Sequence, residues 1–491
     1  MKLFKKAGNT AQILSFPGED VNKGCYLIIE DESSKRSMIV QVIDIQFANV
    51  PGMMEGLLRD SFMEDSAFAE NLDPLDVMSH ILYIQDARLL ICKIHGTVEN
   101  GKLLSDGSWL PSRTQSTIRK LPTSRLIEFT GMRRDLPIYL GETDESTGFI
   151  IDAHALDGRL NIVTGRKGTG KSHLSKIMVL GLLDHGAAVI VLDLNGEYVN
   201  LGLGADGEKN RYHRKIHALI PGDNFKVSLS QTNLFVMMKI LTFALNLPGA
   251  SSREFSRIWK FLRERGTLTL HDLGEAIRNW KCNQHVKDAL LSRYHALLHS
   301  GFFSDNMAEA VILEEMFFSA KDGGALVVDL SNASSTERQI VVEYMLGKLQ
   351  ELLSKERIRP VFLLAEEAHL YLRETYWDDI VTRMRHFGVF TTFITNQPNT
   401  IRENIYRQAD NVFLFNFINE HDLEIVSRAA KVDAETAISI VRDLPPRHCL
   451  VLGSVTKDFP IVAEVRALDV QAKGQTRLFF TEGKAEQIAR L

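Results

Sequence analysis

The sequence predicts an α/β chain: a doubly wound parallel sheet, preceded by a small β-rich domain and interrupted by a helical insertion. Three observations predict it. From Leu160 onward, apolar runs recur with helical stretches between them: LNIVTG, AAVIVLDL (Ala187–Leu194), ALVVDL (Ala325–Leu330), PVFLLAEE (Pro360–Glu367), VFTTFIT (Val389–Thr395) and NVFLFNF (Asn411–Phe417). Runs that are apolar on both faces belong to parallel strands buried between helices. Residues 231–320 contain no comparable run, which predicts the helical insertion. The chain before about residue 130 shows shorter β-rich runs separated by Gly, Pro, Asn and Asp.

Those early runs are CYLIIE (Cys25–Glu30), SMIVQVIDI (Ser37–Ile45) and LLICKI (Leu89–Ile94), with a helical excursion between Met53 and Ser66. Their spacing predicts a small β-barrel or sandwich, and no catalytic constellation lies within it, so a docking or assembly role is expected. With 491 residues the chain exceeds what one hydrophobic core supports. The expected division is a β-barrel at 1–135, an α/β core at 136–455 including the insertion at 231–320, and closing strands with a polar tail at 456–491. Cys449–Val465 reads as two closing strands, and the basic segment Gly207–His217 as a loop.

Composition narrows the function classes. The formal net charge is −5 and the sequence pI about 6.3, so the surface as a whole is not a nucleic-acid coat. Any DNA contact is confined to a groove or channel. Cys25, Cys92, Cys282 and Cys449 form no CxxC pair and no zinc-ligand spacing, which predicts a reducing, cytoplasmic compartment. No apolar run reaches the roughly 20 residues of a membrane span, and the N-terminus MKLFKK turns polar at once.

The strongest motif is Gly165-Arg166-Lys167-Gly168-Thr169-Gly170-Lys171-Ser172, a full match to G-x-x-x-x-G-K-[ST]. It follows the strand Leu160–Val163 and opens a helical pattern at His173–Leu183. The glycines let backbone N–H groups curl around phosphate oxygens, and the helix N-terminus adds partial positive charge. Gly165, Arg166, Lys167, Gly168, Thr169, Gly170, Lys171, Ser172 and His173 are therefore the candidate residues for binding ATP. Lys171 is assigned to the β- and γ-phosphates, and the Ser172 hydroxyl to Mg²⁺.

A phosphate loop needs carboxylates to hold magnesium and polarise water. Glu366 and Glu367 stand where the strand VFLLA emerges, at the edge that carries the ligand crevice in open α/β sheets. Glu366 is read as the Mg²⁺ neighbour and Glu367 as the group that activates the attacking water. The alternative is that the pair starts a solvated helix. Asp193, with Glu197, ends the strand after the phosphate-loop helix and approaches the same crevice, or else satisfies a local turn. Gln397, in Thr395-Asn396-Gln397-Pro398, offers a γ-phosphate sensor at the same edge, or else a plain turn.

In this order, LNIVTGRKGTGKS, LDLNGEY, FLLAEEAH, RHFG and TNQP resemble the HerA branch of the HerA–FtsK ATPases, over roughly Gly141 to Ala463. LDLNGEY is the discriminating piece, since a phosphate loop alone is widely shared. The resemblance implies a RecA-like P-loop ATPase core with an N-terminal small β-barrel domain, in a homo-hexameric ring with double-stranded DNA in the central channel. It implies that Glu367 is the catalytic carboxylate, with Asp193 close by, and that Gln397 is the sensor. It also matches Arg385 to an arginine that reaches the neighbouring subunit's γ-phosphate, with Arg159 a second candidate and Arg383 near enough to exchange roles. The bland alternative for these arginines is a surface salt bridge. The chain departs from the family pattern at Arg166 and Lys167 inside the loop, at Met384 beside Arg385, and at Asn399.

Two functional readings stay open. One is an ATP-dependent DNA translocase or helicase acting with a separate effector, a NurA-type nuclease or a sirtuin-type or nuclease defence effector, in DNA end processing or antiphage defence. The other is an ATP-gated ring that assembles and activates such an effector with little translocation. Basic residues of Ser251–Arg265 or Lys209–Lys215 are candidates for lining a pore. The competing reading of the first segment is a solvated face over a core stripe of Phe255, Ile258, Trp259 and Leu262.

Overall fold

The computed structural model describes residues 1–48, 86–132, 134–143, 146–319, 322–371, 380–417, 419–429 and 434–471. The helix expected between Met53 and Ser66 and most of the polar tail lie outside them. The chain packs as two compact units. One comprises Met1–Asp135, Leu140–Ile151 and Asn411–Arg466; the other comprises Leu136–Tyr139, Asp152–Asp410 and Ala467–Leu491.

The first unit opens with an antiparallel sheet of β1 (Lys2–Ala7), β2 (Thr10–Ser15), β3 (Tyr26–Asp31), β4 (Arg36–Phe47), β5 (Arg88–Glu99), β6 (Lys102–Leu104) and β7 (Ser116–Lys120). Its order is β1-β2-β5-β4-β3-β7, with β6 on β5. Register shifts between β4 and β5, at Ile39/Val40 and Val42/Asp44, sharpen the bend of the longest strands. The two edge strands, β1 and β7, come into contact. Alternate side chains, among them Ile13, Leu27, Val40, Leu90 and Cys92, fill the interior. Two further strands follow, β8 (Pro137–Glu142) and β9 (Gly148–Asp152).

The second unit is built on parallel strands: β10 (Asn161–Thr164), β11 (Ala188–Asp193), β12 (Ile216–Leu219), β13 (Gly324–Asp329), β14 (Val361–Glu366) and β15 (Val389–Thr395). They lie in the order β12-β13-β11-β14-β15-β10, each neighbouring pair parallel. Every residue of β10 and β11 is buried, as strands covered on both faces require. The helix α1 (Lys171–Asp184), which follows β10, buries Leu174, Ile177, Met178, Leu182 and Leu183 among others. β12 overlaps only the last two residues of Gly207–His217, which is otherwise the expected loop. IHAL is short and mostly half-buried, so it carries no continuous apolar signal.

Between β12 and β13 the named elements among the described residues are helical. In α2 (Gly249–Glu264), Phe255, Ile258, Trp259 and Leu262 are buried at i, i+3, i+4 and i+7, which is the core stripe. Helices α3 (Leu270–Asn279) and α4 (Gln284–His299) pack closely at Gly274, where an added Cβ would come within 2.5 Å of the Tyr294 ring. The long helix α5 (Ser335–Ser354) starts on a reciprocal cap between Ser334 and Glu337.

NVFLFNF forms β16 (Asn411–Leu414), which is antiparallel to β17 (His448–Gly453), and β17 pairs with β18 (Ile461–Val465). These strands group with the first unit, and β18 pairs antiparallel with β8. Within that unit the Tyr26 hydroxyl and the Gln41 amide both donate to the buried Pro460 carbonyl, at 2.9 and 2.8 Å. Compactness therefore groups Asn411–Arg466 with the N-terminal sheet, unlike a division at residues 135 and 455. Apolar content alone does not reveal strand direction, which is decided by long-range pairing.

Candidate nucleotide-binding site

The parallel strands end together. Thr164 is in register with Thr395, and Glu366 with Ile394, so the phosphate loop, the paired glutamates and the TNQP turn meet at one carboxyl edge. There a cleft of about 710 Å³ is lined by Lys167, Gly168, Gly170, Lys171, Ser172 and His173 from the loop and helix start. Glu366, Glu367 and Gln397 line it from the other strands.

Gly168 and Gly170 adopt φ of 81° and 119°, which side-chain-bearing residues rarely reach. The backbone can therefore curl around an anion. Gly165 and Arg166 contribute carbonyls: the Lys171 ammonium donates to them at 2.7 and 2.9 Å, and the Thr169 hydroxyl donates to Arg166 O at 2.7 Å. Lys171 is only 7% exposed, and burial lowers its pKa to about 8 against the pull of Glu367, Glu366 and Glu197. Such a lysine gains most from a polyanion beside it.

Glu366 is buried at the end of β14. It accepts from the Tyr198 hydroxyl at 3.0 Å and from the Asn195 amide at 3.4 Å. Burial, with the carboxylates of Asp193 and Glu197, raises it from 4.5 to about 8. A carboxyl raised on folding stabilises the fold below its unfolded pKa and loses that contribution as pH rises through the folded one. The free protein is therefore expected to lose stability between about pH 4.5 and 8 through this group, and Glu366→Gln to flatten the slope. Melting temperatures of both proteins across that range check it; parallel curves would assign the dependence elsewhere.

Glu367 is the next residue but lies in the left-handed region, with φ 44° and ψ 45°. For a non-glycine residue this costs about 1 kcal/mol, a strain found where function holds the backbone. One of its oxygens accepts from the Thr395 hydroxyl at 3.1 Å and the Asn396 N–H at 3.3 Å. His369 Nδ1 lies 3.6 Å from that oxygen, and burial lowers the His369 pKa. An ordered carboxylate beside a phosphate loop can accept a proton from water.

Asp193 is brought near but is not on the cleft wall. It is fully buried, and its two oxygens accept from the Glu197 and Tyr198 N–H groups at 3.0 and 2.8 Å. It pins the turn that carries Asn195, Glu197 and Tyr198, and burial raises its pKa to about 6. Glu197 is held in turn by Lys176 at 2.9 Å. Arg385 and Arg159 stand away from the wall, both on Asp410, at 3.3 and 3.1 Å. Sequence reasoning missed Asn195, Tyr198, Lys176, His369 and Thr395. Four of them sit inside the quoted strings LDLNGEY, AEEAH and TNQP, but only folding shows which of their side chains turn toward the glutamates.

A phosphate loop at the carboxyl edge of a parallel sheet, faced by a buried and an ordered glutamate, defines a P-loop NTPase. The sequence matches the family described as Helicase HerA, central domain, over residues 138–349. It is 20% identical over 480 residues to the DNA double-strand break repair helicase HerA of Sulfolobus acidocaldarius, covering 93% of this chain and 91% of that one. The helicase of the same name from Saccharolobus solfataricus is 21% identical over 359 residues, or 66% and 68% of the two chains. Among solved structures, VirB4 of Thermoanaerobacter pseudethanolicus superposes with a TM-score of 0.53 at 14% identity, over 69% of this chain and 98% of that one. The bacterial conjugative coupling protein TrwB gives 0.51 at 13%, over 73% and 94%. Residues 138–349 thus resemble the central domain of the HerA helicases, and the fold is one shared with VirB4 and TrwB. No described helix is long and apolar enough to cross a membrane.

Proposed function

We propose that the chain is one subunit of a homo-hexameric, ATP-driven DNA translocase, with double-stranded DNA in the ring's channel and a separate effector, such as a nuclease, docked on the N-terminal sheet, which we read as a barrel. The observation that carries the ATPase part is the convergence of Lys171, Ser172, Glu366, Glu367 and Gln397 on one cleft. The DNA part rests on the likeness to the HerA helicases.

In this reading the loop N–H groups and Lys171 hold the β- and γ-phosphates of ATP, Glu367 takes a proton from the attacking water, and Gln397 orients the γ-phosphate. The donors fit magnesium, a hard cation that takes oxygen ligands and keeps several waters. Ser172 and Glu366 would hold it, and a cation there offsets the crowding of Glu366, Asp193 and Glu197 that raises the Glu366 pKa. Bound, it would neutralise charge on the β- and γ-phosphate oxygens. Asp193 acts by bracing the turn that positions Asn195 and Tyr198 on Glu366.

A pore role for the insertion rests on α2, whose Arg253, Lys260 and Arg263 are exposed opposite the buried stripe. Around Lys209–Lys215, Arg211 is paired with Asp184, and Lys215 donates to the Leu183 carbonyl, which weakens that segment's case.

ATP hydrolysis by the full chain with and without double-stranded DNA tests the proposal, with Glu367→Gln as control. Several-fold stimulation by DNA, abolished in the variant, is expected. Hydrolysis that needs Glu367 but ignores DNA would replace the motor by the effector-gating ring.

A further inference from the structure

We infer that Asp410 is a positioning residue that holds Arg159 and Arg385 together as one anion-receiving unit for the nucleotide of a second copy of this chain. The inference rests on the reading of these arginines as groups that act on a neighbour's γ-phosphate.

Arg159 and Arg385 are 226 residues apart by number and reach the same carboxylate. Arg159 Nη1 donates to Asp410 Oδ1 at 3.1 Å, and Arg385 Nη1 lies 3.3 Å from Oδ2. Asp410 is itself fixed: its Oδ2 accepts the Leu160 N–H at 3.0 Å, and its own N–H donates to the Leu160 carbonyl at 2.9 Å. The carboxylate is 12% exposed, while the two arginine side chains are 43% and 34% exposed. A guanidinium has five N–H donors, so one contact with a carboxylate leaves most of them for an outside oxyanion. The shared carboxylate suppresses the repulsion between the two arginines while their remaining N–H donors stay available to an outside phosphate.

The place in the fold excludes the chain's own site. Arg159 precedes β10 and Arg385 precedes β15, so both stand at the amino ends of parallel strands whose carboxyl ends form the nucleotide cleft. At about 3.3 Å per residue, the four residues of β10 alone separate the two edges by about 13 Å. That exceeds the reach of an arginine side chain, so the pair cannot act on the chain's own nucleotide, and the proposal assigns it the nucleotide of another copy.

The test is steady-state ATP turnover by the full chain carrying Asp410→Asn, alone and co-expressed one-to-one with Lys171→Met. The first variant keeps its own phosphate loop; the second lacks a working loop but keeps both arginines. Alone, Asp410→Asn should lower kcat about 10- to 100-fold, as misplacement of a group by about 1 Å does, with KM for ATP changed less than about threefold. In mixed assemblies activity should recover, because Lys171→Met copies supply ordered arginines to intact loops. Arg385→Ala, mixed in the same way, separates the two readings. Rescue of Arg385→Ala without rescue of Asp410→Asn would mean that Asp410 only supports its own strand, and would overturn the inference. Unchanged kcat in Asp410→Asn would do the same. If neither Arg385→Ala nor Arg159→Ala loses activity, the arginine reading itself fails. Should Asp410→Asn not fold, Asp410→Glu keeps the charge, displaces it by one methylene and carries the same mixing test.

Discussion

Glu367→Gln is expected to reduce ATP turnover at saturating MgATP by about 10²- to 10⁴-fold, the usual contribution of a positioned general base. Glutamine preserves size and can still accept from Thr395 and Asn396, which now hold the carboxylate at 3.1 and 3.3 Å. The left-handed backbone at φ 44° is also unchanged in its demands. Only the proton acceptor is lost, so the effect should appear in kcat and leave nucleotide affinity within a few-fold. Turnover and fluorescent-nucleotide binding, measured on the same preparation, separate the two. Turnover within about threefold of the parent would show that water is activated by another group.

Lys171→Met is expected to abolish measurable nucleotide binding and, in the opposite direction, to raise the melting temperature of the free protein. The ammonium is buried with its pKa lowered to about 8, so at neutral pH the fold carries a desolvated charge. For a lysine whose pKa falls on folding, the sign is definite. The stabilising contribution is present above the unfolded value of 10.5 and is lost as pH falls through about 8. Methionine fills the space of the stem without the charge. A rise of at least about 2 °C at pH 7, corresponding to about 1 kcal/mol in a domain of this size, is the expected outcome. The hydrogen bonds to Gly165 and Arg166 oppose it, and a lower melting temperature would mean that they outweigh desolvation. Natural active sites commonly give up stability in this way for binding.

The sequence already contained the phosphate loop and the strand-ending glutamates because both are local patterns. A glycine-rich turn between a buried strand and a helix that closes on Gly-Lys-Ser is a contiguous signature of phosphate binding, and adjacent acids after VFLLA fall at a strand end wherever that strand pairs. The core stripe of α2 was legible for the same reason: Phe255, Ile258, Trp259 and Leu262 repeat at helical spacing. The partner of NVFLFNF was not legible, because β17, to which it runs antiparallel, lies more than 30 residues away. IHAL was overlooked because an edge strand, half-buried, need not be continuously apolar.

Sequence by itself therefore determined the α/β core and the phosphate-loop motif Gly165–Ser172, on which the proposed nucleotide binding rests, since those properties are written in contiguous residues. Tertiary structure alone decided how the glutamates differ: Glu366 is buried under Tyr198 and Asn195, and Glu367 is turned to Thr395 and Asn396. It also withdrew Asp193 from the cleft and brought Arg159 and Arg385 onto Asp410. The physical reason is that burial and hydrogen bonding, which set each group's charge and direction, come from residues distant in the chain.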